Sequence, residues 1–71
     1  MDKEQLLKRF GKNVKIERIK KDFTQAKLAD IMNVSQNYIA SIETGKENMS
    51  LGKILDLSKF LKTDINNLLD F

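Results

Sequence analysis

The sequence predicts an all-α, five-helix compact domain, and three observations carry that expectation. The 71 residues include no proline and only three glycines, so little interrupts a helix. Apolar residues recur at three- to four-residue spacing, and no period-two run bounded by turn residues suggests a strand. Hydroxyl residues stand ahead of the later apolar segments at Thr24, Ser35, Ser50 and Thr63. There an oxygen accepts from an orphan backbone N–H of the first turn.

The first helix is expected over Asp2 to Lys20, with Leu6, Leu7, Phe10, Val14 and Ile19 on one stripe. Gly11 lies inside it at a cost of about 1 kcal/mol against alanine, which a close helix–helix approach would explain. Asp22 suits a left-handed turn. Thr24 caps a short second helix with Leu28, Ala29 and Met32 inward. Asn33 tolerates positive φ in the following turn, and Val34 plugs it. Ser35 opens a third helix that runs through Thr44, with Ile39 and Ile42 inward beside Ala40 or Tyr38, and Gly45 stops it. Ser50 caps a fourth carrying Leu51, Ile54, Leu55, Leu57 and Leu61. Thr63 caps a fifth with Ile65, Leu68 and Leu69, ending at Phe71.

This length gives one domain, residues 1–71. Without cysteine there is no disulfide, thiolate metal site or cysteine nucleophile. Without histidine the commonest general base and zinc ligand are missing. No carboxylate pair falls in a foreseeable pocket. The expectation is therefore no enzyme, no catalytic residue, no metal, no cofactor and no small-molecule ligand. No apolar run approaches the ~20 residues of a membrane span, and the polar start carries no signal-peptide stretch. A cytoplasmic location and no membrane partner follow as expectations.

The net charge is +3, and its distribution is uneven. Lys3, Lys8, Arg9, Lys12, Lys15, Arg18, Lys20 and Lys21 face only Asp2, Glu4 and Glu17 in the first segment. That is either a solvated helix face or a patch turned to a polyanion.

The informative stretch is 24–45, TQAKLADIMNVSQNYIASIETG. Two short capped helices joined by a turn with a positive-φ candidate have the anatomy of a helix-turn-helix. Ala29 permits a close crossing, while Val34, Ile39 and Ile42 fix the angle. The third helix then projects Ser35, Gln36 and Asn37, with Ser41 one turn on. Glutamine and asparagine amides match adenine N6 and N7, and serine meets several bases. The bland alternative is an ordinary polar helix start. Tyr38 suits a phosphate, a thymine methyl or the core.

The residues Arg18, Phe23-Thr24-Gln25, Leu28-Ala29, Val34-Ser35, Tyr38-Ile39, Ile42-Glu43, Gly45-Lys46, Asn48, Ser50-Leu51 and Leu55 stand at a recognisable spacing. With them the sequence resembles the Cro and cI repressor type of helix-turn-helix, also called the xenobiotic-response-element family, from about Phe10 to Leu69. The resemblance implies a lambda-repressor-like fold and a DNA-binding transcription regulator, with the third helix in the major groove. It implies base reading by Ser35, Gln36, Asn37 and Ser41, and backbone contacts from Gln25, Tyr38, Lys46, Asn48 and Arg18. It also implies a structural pair, Arg18 with Glu43. Asn33 and Asp22 replace usual glycines, Met49 a frequent proline and Thr44 a frequent arginine. A recognition helix without arginine or lysine points to adenine, thymine and DNA shape over guanine.

Within that family the sequence resembles stand-alone phage repressors and the controller proteins of restriction–modification systems. Tyr38 to Glu43 and Leu68 to Phe71 lean to the controllers. The chain ends soon after the fifth helix, so no effector domain is expected. Double-stranded DNA is the expected partner, bound by a homodimer. Leu57, Leu61, Ile65, Leu68, Leu69 and Phe71 exceed what a small core uses, placing the dimer interface at Ile65, Leu68, Leu69 and Phe71. A protein-interaction module or an antitoxin on the same fold is the alternative.

Overall fold

The computed structural model describes residues 1–71 as five helices: α1 (Lys3–Lys20), α2 (Gln25–Met32), α3 (Gln36–Glu43), α4 (Leu51–Phe60) and α5 (Ile65–Leu68). Each begins on a side-chain cap. Asp2 and Gln5 form a reciprocal capping box at α1, while Thr24, Ser35 and Ser50 accept from Lys27, Tyr38 and Lys53 N–H. The α5 cap differs from expectation. Asp64 takes that place, accepting from the Asn66 N–H at 2.9 Å, while the Thr63 hydroxyl donates to Glu17 and accepts from the Asn67 side chain. The helix is also a single turn ending at Leu68, not at Phe71.

The turns are set by left-handed residues. Asp22, Asn33 and Gly45 have φ of 59°, 56° and 81°, and Lys62 joins them at 52° without any local sequence signal. Gly45 is also hemmed in: a Cβ there would stand 2.8 Å from the Lys8 side chain. Gly11 is the close approach between α1 and α3. A Cβ at that position would collide with the carbonyl oxygens of Ile42 and Glu43.

Phe10, Val14, Leu28, Ala29, Ile39, Ile42, Ile54, Leu57, Leu61 and Leu68 form one core that all five helices supply. Three expectations change here. Leu57, Leu61 and Leu68 are fully buried within the single chain, so Leu68 cannot belong to a dimer interface. Ile19 leaves the buried stripe and is 53% exposed, because Glu17 and Arg18 turn inward instead. Leu51 and Leu55 are exposed as well. No helix is long and apolar enough to cross a membrane.

Candidate nucleic-acid interface

The second and third helices are held to the first by one buried polar node. Arg18 Nε donates to Glu43 Oε2 at 2.7 Å and Arg18 Nη2 to Glu43 Oε1 at 3.1 Å. This is the two-pronged geometry in which a guanidinium holds a carboxylate best. Arg18 Nη1 donates to the Phe23 carbonyl at 2.7 Å, which ties down the α1–α2 turn. Gln25 Nε2 completes the node, donating to Glu43 Oε1 at 3.1 Å from the first residue of α2. The Glu43 side chain is 2% exposed and that of Arg18 10%. A burial this deep is stable only because every polar atom has a partner, and no buried side-chain nitrogen or oxygen is unpaired.

Two expected roles change as a result. Arg18 is committed to Glu43 and Phe23 and buried beneath them, which withdraws it from the DNA backbone. Gln25 is half-buried and has given one amide hydrogen to Glu43, so what it offers outward is the rest of a fixed amide. The family resemblance singles out Gln25, but its partner lies 18 residues on and has no local signature.

From this base α3 presents its first turn to solvent. Ser35 Oγ accepts from the Tyr38 N–H at 3.1 Å and so holds the helix start. Gln36 and Asn37 are exposed and neither side chain is engaged in a hydrogen bond. Ser41 is half-buried one turn further on. Tyr38 packs against the core, beside a groove lined by Met32, Val34, Met49 and Phe60. Lys46 and Asn48 are exposed in the loop after α3, where the Lys46 N–H bonds the Ser41 carbonyl at 2.8 Å. Asn48 lines an apolar groove of about 350 Å³ with Leu6, Leu51 and Phe71, and no residue of the α3 first turn lines it.

Two further contacts have no counterpart in the sequence pattern. Asn13 Nδ2 donates to the carbonyls of Leu68 and Asp70, at 3.1 and 3.0 Å. Glu17 accepts from Thr63 Oγ1 at 2.7 Å and pairs with Lys20 at 3.1 Å. The Thr63 hydrogen bond holds the Glu17 carboxyl below its ordinary value against the opposing effect of burial, and Lys20 and Lys21 add to the lowering.

Comparison with known proteins bears on this geometry. Residues 14–68 match the helix-turn-helix family. The control protein C.BamHI of Bacillus amyloliquefaciens is 40% identical over 63 residues, which is 87% of this chain and 78% of that protein. The solved restriction–modification controller protein C.AhdI of Aeromonas hydrophila superposes with a TM-score of 0.79 at 31% identity, over 87% of this chain and 94% of that one. A hypothetical transcription factor, NHTF from Neisseria, shares the fold with a TM-score of 0.83 at 23% identity, over 97% of this chain and 79% of its own. With its capped helix pair, left-handed Asn33 turn and buried Arg18–Glu43 brace, the chain belongs to the Cro/cI-type helix-turn-helix family of DNA-binding regulators.

Proposed function

We propose that the protein is a sequence-specific regulator of transcription that binds double-stranded DNA as a homodimer, in the manner of a restriction–modification controller. The carrying observation is the first turn of α3. Gln36 and Asn37 stand exposed and unengaged on a helix whose other end is clamped by Arg18 and Gln25 through Glu43. A free amide on a rigid helix is what bidentate recognition of adenine needs. Ser35 and Ser41 flank that turn, and Gln25, Lys46 and Asn48, with Tyr38 through its hydroxyl, supply backbone contacts. The controller role is supported by the two controller relatives that the chain resembles over most of its length.

The dimer follows from scale and from exposed apolar surface. One short helix reads only a few base pairs, and a twofold pair doubles the site with half-sites about 34 Å apart. Ile65 and Leu69 are half-buried and Phe71 is 43% exposed. Leu69 and Phe71 line an apolar groove with Leu6 and Leu51, the face that a second copy would cover, with Ile65 on the preceding turn. Selection of bound sites from a random DNA pool, followed by sedimentation on the selected duplex, tests both parts. The expected result is an inverted repeat rich in adenine and thymine, bound by two copies. Recovery of no enriched sequence would sink the reading.

A further inference from the structure

We propose that Asn13 and Glu17 of α1 are positioning residues for self-association. They lock α5 and residues 69–71 to the same helix that braces α3, and thereby set the distance between the two half-sites a dimer reads. The inference rests on the dimeric reading above.

Helix α1 is gripped on two sides. On one, Gly11 lies against the Ile42 and Glu43 carbonyls and Arg18 holds Glu43, which fixes the recognition helix. On the other, Asn13 donates to the Leu68 and Asp70 carbonyls, and Glu17 accepts from Thr63, whose hydroxyl in turn accepts from Asn67 at 2.9 Å. Asn13 and Glu17 are one turn apart, so both reach the same side of α1.

The α5 end needs such support. A single helical turn has almost no stability of its own, and its last carbonyls are orphans that an outside donor must satisfy. Beyond Leu69, the bond from Asn13 is the one hydrogen bond that holds the backbone of residues 70 and 71. Phe71 matters because it lines the apolar groove with Leu69, Leu6 and Leu51. The partners of Asn13 and Glu17 all lie in α5, its flanks or α1 itself, so neither residue belongs to the DNA-reading turn.

The magnitude decides that such a lock has consequences. With half-sites about 34 Å apart, each reading helix sits ~17 Å from the twofold axis. A hinge of about 10° at α5 would move it ~3 Å, close to the ~3.4 Å rise of one base pair. A loose α5 therefore tolerates spacers that a fixed one rejects.

The test uses the full chain and duplexes carrying the selected half-site as an inverted repeat, with the spacer changed by one or two base pairs. A single half-site duplex and a thermal melt accompany each variant. The wild type is expected to show one spacer optimum, with affinity falling about tenfold one base pair away, the scale of one mismatched pair. Asn13→Ala combined with Glu17→Ala flattens that profile to a few-fold, while affinity for the single half-site is unchanged. Asn13→Asp flattens it alone, since a carboxylate would face two carbonyl oxygens. Glu17→Gln keeps the profile, because its amide oxygen still accepts from Thr63. Thr63→Val removes the Glu17 bond from the other side and stands in where the double variant does not melt cooperatively. An unchanged spacer optimum in a folded double variant, or in Thr63→Val, overturns the inference while the dimeric reading survives. A wild type that binds as a monomer, or without any spacer optimum, overturns both.

Discussion

At the scale of single residues, Glu43 has the most to lose. Its two oxygens accept from Arg18 Nε, Arg18 Nη2 and Gln25 Nε2 in a site closed to water. Arg18→Met leaves a buried carboxylate with Gln25 alone, and we expect a loss of about 3 kcal/mol or more. Glu43→Gln leaves the guanidinium one accepting amide oxygen and the Phe23 carbonyl but removes its counter-charge. A double-mutant cycle should show strong coupling, and additive effects would mean that the pair contributes nothing as a pair. Gln36 and Asn37 are the opposite case. They are exposed and bond to nothing, so alanine at either should leave the melt almost unmoved. Discrimination between cognate and scrambled DNA should fall by ~1–3 kcal/mol at each. Ser35→Ala belongs between the two, costing about 1 kcal/mol of stability through the lost cap. If both amide variants keep full discrimination in a binding titration, α3 is not the reader.

Among elements, α1 does the organising, and Gly11 is its tightest point. Alanine favours a helix interior by about 1 kcal/mol over glycine. Here its Cβ would enter the α3 carbonyls, and backbone cannot give way as a side chain would. Gly11→Ala should therefore be net destabilising by ~1–3 kcal/mol, lowering the melting temperature by several degrees or more. A raised melting temperature would show that the two helices do not meet there. Glu17 provides a pH signature for the α1–α5 contact. Its folded pKa is lowered, first by the Thr63 hydrogen bond, so its contribution is fully present above the ordinary value of 4.5. It is lost as pH falls below 4.5 through the folded value. The stability gap between wild type and Glu17→Gln should stay constant near neutrality and shrink in acid; a gap independent of pH would contradict the bond. The same contrast separates what was legible in the sequence from what was not. Caps at Thr24, Ser35 and Ser50 and turns at Asp22, Asn33 and Gly45 are chemistry within four residues, and pattern reading finds them. Thr63 reads as the α5 cap, yet Asp64 holds that place and Thr63 bonds Glu17, 46 residues away, which no local pattern shows. Asn13, Gln25 and the left-handed Lys62 likewise answer to tertiary partners or to none that are local. Leu57, Leu61 and Leu68 are not surplus, because the short C-terminal helices α4 and α5 must also supply the single core.

For the whole molecule, the charge is a property of distribution more than of sum. A net +3 is modest, but the exposed lysines and Arg9 of α1 and Lys46 after α3 leave few acids opposite them; only Lys8 and Lys20 pair, with Glu4 and Glu17. Approach to a polyanion should then be driven by counterion release, with the log of affinity falling linearly against log salt at roughly −0.9 per neutralised phosphate. Lys46 is the residue on which this is best measured. It is exposed, it forms no ion pair, and its backbone is fixed by the Ser41 carbonyl, so its position follows α3. A phosphate contact carries no sequence information, whereas a base contact does. Lys46→Ala should weaken cognate and scrambled duplexes by the same factor and reduce the salt slope by about one unit per protomer. Titrations at several salt concentrations on both duplexes read the two effects separately. A loss confined to the cognate duplex, with the slope unchanged, would move Lys46 from the backbone to a base edge and shift the reading surface from the first turn of α3 toward its C-terminal loop.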